Sequence, residues 1–455
     1  MSAQKLKKKE YSPMRIIFIS YLAIIFIGSV LLFLPISQNP AEEHLPFLDC
    51  LFTATSAVCV TGLVVTPTAI HWSLFGQIVI MLLIQIGGLS IITITGFIFV
   101  VIGKKLGLKN RLLLQNSFNH TQMGGMARLV KIVVKGTAIF ELSGAFLLAS
   151  YFFFVKGIDI GKAIYYGIFH AISGFCNAGF DVLGTNSLVN YSDDIFINIV
   201  IMSLIILGGI GFFVWHDVKS KITKKRYRLS VSTKLALFTT AFLLILGTLY
   251  FFLSEYNNPN TIGSFPVWHK IIASMFQSTT LRTAGFASID QGGLKEASKF
   301  VSVMLMMIGG SPGSMAGGIK TVTIAIIVSS IWSIVRGRDG VMVFNRSISL
   351  KTLQKALAIT GIMIILLFSF TAILCILEIN SPFTHNFIDI MYECASALAT
   401  VGNTTGITPY LLPSSKAILI VGMIIGRVGP ITVIYAITQT DKVVMKYPET
   451  EVLIG

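Results

Sequence analysis

Four stretches decide how this chain is read: Ser56–Leu63, SAVCVTGL; Ser173–Phe180, SGFCNAGF; Thr279–Phe286, TTLRTAGF; and Ser396–Asn403, SALATVGN. Each opens on a hydroxyl residue (Ser56, Ser173, Thr279 or Ser396) and carries a glycine six residues later (Gly62, Gly179, Gly285 or Gly402). The glycines are 117, 106 and 117 residues apart. In a chain with 40 glycines one such match means nothing. Four at near-even spacing, each in the same setting, mark an internal repeat.

The setting is apolar. Eight long runs, at about 14–34, 73–102, 131–155, 194–215, 233–253, 299–334, 353–377 and 415–437, alternate with short segments at 47–63, 163–180, 267–286 and 387–403. A crossing needs about 20 apolar residues, which the runs have and the short segments lack. Each short segment begins helix-compatible and ends in Ser, Thr, Asn and Gly, the profile of a half-helix that enters a membrane and returns extended. The run after each also repeats: QIGGLS at 85–90, LGGIGF at 207–212, MIGGSP at 307–312 and IIGRVGP at 424–430.

Composition agrees. The 455 residues are 54% hydrophobic and only 12% charged, against about 25% charged in soluble domains. So little charge cannot cover a water-facing surface of this size, which excludes a soluble enzyme, a disordered chain and a disulfide scaffold. The net charge of +15 is unevenly placed. Basic residues gather in the N-terminal tail (Lys5, Lys7, Lys8, Lys9, Arg15) and in the stretches 104–135, 219–234 and 336–355; acids favour the other loops. That asymmetry puts both termini on the cytoplasmic side and gives the basic charge a membrane role, with contact to membrane lipids and no nucleic-acid partner. The first run is longer than a signal-peptide core and lacks an Ala-x-Ala site, so it is read as a crossing. Cys50, Cys59, Cys176, Cys375 and Cys394 make no CxxC pair and read as small buried hydrophobes.

The expected architecture is an all-α polytopic membrane protein: four parallel helix–pore-loop–helix repeats, eight crossings, and pseudo-fourfold symmetry around a central pore. The boundaries follow: a basic tail 1–13, repeat one 14–103, a cytoplasmic loop 104–130, repeat two 131–218, a basic loop 219–232, repeat three 233–335, a loop 336–352, repeat four 353–440 and a tail 441–455.

Such loops suit an alkali cation. The C-terminal carbonyls of four half-helices bring partial negative charge to one axis. Glycine permits the torsions that turn main-chain carbonyls inward, and rings of carbonyls can replace a hydration shell. The filter candidates are Val60-Thr61-Gly62, Asn177-Ala178-Gly179, Thr283-Ala284-Gly285 and Thr400-Val401-Gly402. Ser56, Ser173, Thr279 and Ser396 are expected to tie each half-helix to its filter strand rather than to touch the ion.

The third repeat departs from the others. Gly309-Gly310-Ser311-Pro312-Gly313-Ser314-Met315-Ala316-Gly317-Gly318 interrupts its second run. The piece before it, Phe300 to Ile308, is too short to cross, so the break lies within the membrane, where it is either a gate beneath the filter or a static kink. Charges at this depth are costly and usually functional. Arg427 is expected to face the cavity below the filter, or else to pack against an acid. Lys320 holds the loop by its carbonyls or snorkels. Arg282 belongs behind the filter, with Glu393 as its partner. Glu141 is either protonated or paired. No metal spacing and no organic-cofactor motif accompanies these residues.

These features resemble the Trk/Ktr/HKT superfamily of potassium transporters across residues 14–455. Four pore loops with Gly62, Gly179, Gly285 and Gly402 match the family's filter; Gly309–Gly318 resembles its intramembrane gating loop; Arg427 matches its fourth-repeat pore arginine. Eight crossings and the short tail KYPETEVLIG are most similar to the ion-translocating membrane subunit of bacterial Ktr systems. The resemblance implies potassium preference through a glycine at all four filter positions, and stimulation of transport by sodium. It also implies a homodimer with one pore per subunit, and a cytoplasmic ring of nucleotide-binding, RCK-type regulatory subunits that sense ATP and ADP. A sodium-coupled potassium symporter with alternating access is the alternative, though the repeats run parallel and alternating access suits inverted ones. An integral membrane enzyme would need clustered acids or histidines; the seven histidines are scattered.

Overall fold

The computed structural model describes residues 13–101, 112–113, 126–224, 226–338 and 340–437. The tail 1–12, nearly all of the 104–125 stretch, Lys225 and the tail 441–455 lie outside the described residues.

Each repeat supplies three elements in the same order. First comes a leading helix: Pro13–Phe33, Met126–Phe154, Val231–Glu255 and Leu350–Leu377. These four are long and apolar enough to cross a membrane. They are apolar on nearly every side, and Phe26, Phe146, Phe238 and Ile365 stand 61% to 72% exposed on their outer faces. In water that would be a liability; against lipid it is the expected surface. Ser230 and Ser349 start the third and fourth, their hydroxyls accepting from the N–H of Thr233 and Thr352.

Second comes a half-helix: Phe47–Cys59, Ile160–Cys176, Val267–Thr280 and Phe387–Ala399. Each packs on its own leading helix. Their small hydroxyl residues survive burial by bonding one turn back, as Thr53 does to the Asp49 carbonyl at 2.9 Å and Thr55 to Leu51 at 2.7 Å.

Third comes a helix that breaks, and here the sequence expectation needs correction. The runs 73–102, 194–215 and 415–437 read as uninterrupted crossings. The structure bends all three: Leu74–Leu89 meets Thr93–Phe99 at 84°, Ile195–Gly209 meets Phe212–Thr223 at 94°, and Pro413–Val428 meets Pro430–Ala436 at 99°. The cause is local. Ser90, Gly211 and Gly429 take φ of 67°, 99° and 92°, a left-handed residue that ends the hydrogen-bond ladder, and Pro430 cannot resume it. Each bent pair is long and apolar enough for one span. In the third repeat Glu296–Met307 and Thr321–Val335 are separated by the whole glycine-rich loop.

The repeats join in sequence. The broken helix of repeat one packs on half-helix two, that of repeat two on half-helix three, that of three on half-helix four, and that of four on half-helix one. The circle closes. Outside it, the expected plain loop 336–352 holds a small antiparallel hairpin, Met342–Val343 with Arg346–Ser347. Phe344 and Asn345 turn it with φ of 47° and 59°.

Candidate ion pathway

The four predicted filter strands meet. A Cβ placed on Gly62 would lie 2.5 Å from the Ala178 carbonyl oxygen; on Gly179, 2.6 Å from the Gly285 Cα; on Gly285, 2.6 Å from the Val401 oxygen; on Gly402, 2.0 Å from the Thr61 oxygen. Each strand thus touches the next in chain order, and the fourth touches the first. No side chain fits at any of these positions.

The strands also share one backbone pattern. Val60, Asn177, Thr283 and Thr400 all lie in the left-handed region, at φ of 56°, 60°, 67° and 52°. Two residues on, the four glycines take φ of 100°, 69°, 81° and 96°. The non-glycine residues in that region cost on the order of 1–3 kcal/mol each. The same conformation recurs at four equivalent positions in one place.

Hydroxyl residues hold the strands, with one correction. Ser56 Oγ accepts from the Gly62 N–H at 3.0 Å, and Ser396 Oγ from Gly402 at 2.9 Å. Ser173 Oγ donates to the Phe180 carbonyl at 2.6 Å. Thr279 does not take this role: its hydroxyl bonds back to Met275 within the half-helix, at 2.8 Å. Thr280, one residue later, donates to the Phe286 carbonyl at 2.5 Å instead. The third half-helix ends on a right-handed residue, Leu281, where the others end left-handed, and this shifts the register of the tie.

The glycine-rich loop sits against the strands' inner ends. A Cβ on Gly317 would fall 2.1 Å from Thr400 Oγ1, and one on Gly309 3.3 Å from the Thr283 methyl. Its backbone is bonded on both sides: the Ser311 N–H donates to Gly209 at 2.9 Å, Met315 to Gly208 at 3.2 Å, and Phe212 donates to Gly313 at 2.8 Å. Ser311 and Thr321 share a hydrogen bond at 3.0 Å across its base.

Lys320 and Arg427 find carbonyls and Arg282 a hydroxyl. Lys320 donates to Ala316 and, at 3.4 Å, to Gly317, so it holds the loop. Arg427 donates to the Met315 carbonyl and to Gly87 and Gly88 at 2.5 and 3.2 Å. It joins the loop to the break of the first repeat. Arg282 is buried and reaches Thr240 Oγ1 of the third leading helix at 3.2 Å. Its expected pairing with Glu393 does not form. Glu393 accepts from Thr404 Oγ1 at 2.5 Å, the Thr405 N–H at 3.0 Å and Thr408 Oγ1 at 2.7 Å, so it shapes the return of its own repeat. Glu141 has partners, Gln85 Nε2 at 3.2 Å and Cys176 Sγ at 3.7 Å.

Two ion pairs escaped the sequence reading. Lys299 meets Asp389 at 2.8 Å, joining repeats three and four, and Lys416 meets Asp49 at 2.9 Å, joining four to one. All four side chains are nearly buried. One signal was present: Lys299 and Lys416 are 117 residues apart, the same interval as Gly285 to Gly402. At the rim, Asp194 caps its helix and pairs with Lys156 at 2.7 Å. Its hydrogen bond holds the Lys156 ammonium above the usual range.

Four buried, glycine-bearing strands closing on one axis among apolar helices define a membrane protein that passes something small through itself. The chain belongs to the TrkH family of cation transport proteins, which it matches over residues 7–445. It is 40% identical, over 100% of both chains, to the Ktr system potassium uptake protein B of Bacillus subtilis (strain 168). It is 37% identical to the protein of the same name from Vibrio alginolyticus, covering 97% of this chain and 94% of that one. Its identity to the potassium/sodium uptake protein NtpJ of Enterococcus hirae is 36%, over 99% of each. The crystal structure of the potassium transporter TrkH from Vibrio parahaemolyticus superposes with a TM-score of 0.74 at 18% identity, covering 96% of this chain and 87% of that one, and shares its fold. The family and these relatives are ion transporters, and this chain is a transporter rather than an enzyme.

Proposed function

We propose that the protein takes up potassium across the cytoplasmic membrane through a carbonyl-lined filter made of Val60–Gly62, Asn177–Gly179, Thr283–Gly285 and Thr400–Gly402. The observation that carries this is the closed circle of four strands, each left-handed at two fixed positions. Main-chain oxygens so crowded are positioned to take over the hydration of an alkali ion. The ion enters from the outer side, where the half-helices begin, and loses its water among the strands. It then meets the loop Gly309–Gly318, which stands as the gate, latched by Lys320 and Arg427. The relatives named for potassium uptake support the choice of ion. Sodium stimulates transport in this reading, on the family resemblance alone; one relative is named for potassium/sodium uptake. Both termini face the cytoplasm in this reading, and the protein works as a homodimer. A nucleotide-binding ring docks on the basic loop 219–232, the 104–130 loop and the tail, and moves the gate through Thr321–Val335.

The test is ion-competition uptake in cells lacking their own potassium systems. Wild type restores uptake that potassium inhibits better than sodium does. Gly62→Ser puts a side chain where the Ala178 oxygen already stands, and should lower the potassium-to-sodium ratio by about ten-fold or more, given ~1–3 kcal/mol for overpacking at such a contact. Gly361→Ser, in open space on the fourth leading helix, should leave the ratio alone. Equal ratios in Gly62→Ser and wild type would remove Gly62 from the filter.

A further inference from the structure

One wall of the strand circle differs in kind from the others. Ten residues before the filter glycine, repeats one and two place Phe52 and Phe169, both fully buried, and repeat three Met275. Repeat four places Tyr392, also fully buried. Its hydroxyl donates to Gln291 Oε1 at 2.9 Å, in the return segment of repeat three. Gln291 and Gln277 exchange amide hydrogen bonds at 2.6 and 3.0 Å, which carries the connection into half-helix three. One turn further along that half-helix, Thr280 donates to the Phe286 carbonyl and also approaches Asn403 Oδ1 at 3.4 Å. Asn403 itself is anomalous: the residue after the filter glycine is Leu63, Phe180 or Phe286 in the other repeats, all buried and apolar. A loop of contacts therefore runs from half-helix four to the return of repeat three, into half-helix three, and back to the filter strand of repeat four.

We infer that this polar seam, with Tyr392 and Thr280 as its positioning residues, sets the spacing of the third and fourth filter strands and so sharpens ion selectivity. The inference rests on the filter reading above. Apolar packing resists compression but is indifferent to small slides, whereas a buried hydrogen-bond network, here complete except at Asn403 Nδ2, fixes both distance and direction. Selection between alkali ions depends on the number and field of the carbonyls that surround them. A wall free to slide admits the smaller ion as readily as the larger. None of the five side chains touches the ion; they act through the backbone of residues 283–286 and 400–403.

The experiment measures the potassium-to-sodium ratio by competition uptake in cells lacking their own potassium systems, with the amount of protein in the membrane quantified alongside. Tyr392→Phe removes one oxygen and leaves the ring. The ratio should fall about five-fold, the factor that one ordinary hydrogen bond is worth. Thr280→Val should do the same, and Thr280→Ser, which keeps the hydroxyl, should retain the wild-type ratio. Thr248→Val, which removes a hydroxyl from the third leading helix, should change nothing. If Tyr392→Phe does not reach the membrane, Thr280→Val against Thr280→Ser decides. Wild-type ratios in Tyr392→Phe and Thr280→Val, with Gly62→Ser lowered, would overturn the seam and leave the filter standing. Wild-type ratios in all three would overturn the filter reading and the seam with it.

Discussion

The filter strands and the breaks beneath them are both fourfold features, yet they are treated in opposite ways. The strands are close copies: same length, same pair of left-handed positions, same glycine. The breaks are four different solutions to one task. Repeat one turns at Ser90, repeat two at Gly211, repeat four at Gly429 ahead of a proline, and repeat three spends the stretch Ile308–Lys320 on it. An ion surrounded on four sides requires equal neighbours. A gate requires that one side yield before the rest. In the proposed reading, sameness is kept where the ion binds and given up where it is held back.

Part of the break is shared by repeats one, two and four, and that part should be the most sensitive. A Cβ on Gly87, Gly208 or Gly426 would lie 2.0, 1.9 or 2.1 Å from the carbonyl of Val58, Phe175 or Leu398, at the foot of the half-helix in its own repeat. Gly208→Ala should therefore cost about 2–3 kcal/mol, the upper range for forced overpacking, seen as a lower unfolding temperature in detergent and less protein in the membrane. A fully stable variant would mean that the breaks are not docked on the half-helices. The unshared part should affect rate rather than stability. Deleting Pro312–Ala316, or Arg427→Ala, should raise the maximal uptake rate about three-fold or more, since each removes about 1–3 kcal/mol of carbonyl contacts to a charged or main-chain group. If both fold and transport no faster, repeat three's break is only a kink, and the contrast with the strands disappears. Smallest of all is Gly361→Ala in the fourth leading helix, where nothing lies within 4 Å. It should gain up to about 1 kcal/mol, because alanine loses less backbone freedom than glycine in a helix. A loss there would show that glycine in this protein matters beyond the circle.

How much of this could be read from residues alone follows the same contrast. The strands were legible because a repeated glycine with a repeated hydroxyl leaves a spacing that chance does not make. The long break was legible because glycine and proline cluster in Gly309–Gly318. The other three were not: a helix can turn by 84° on a single Ser90 within an unbroken apolar run, and hydropathy does not register it. Thr279 was placed one residue early because half-helix three ends right-handed, a torsion that no spacing displays. The Arg282–Glu393 pairing failed for a different reason. Burial demands partners for each charge, but Glu393 takes hydroxyls and a main-chain N–H and Arg282 a single hydroxyl, and sequence does not say which groups are near. The family resemblance supplied the expectations for potassium and for the partners; the residues by themselves reached a cation pathway with a candidate gate.

The pair Lys416–Asp49 has a consequence for how the molecule is made. The two residues are separated by nearly the whole chain, so Asp49 enters the membrane long before its lysine is synthesised. Asp49 lies in the first turn of its half-helix with its side chain nearly buried, and a buried carboxylate without its ionic partner is expensive until the last repeat arrives. Lys299–Asp389 likewise waits for the fourth repeat, which supplies Asp389 to one pair and Lys416 to the other. A chain cut before the fourth repeat therefore lacks both of the pairs that close the circle.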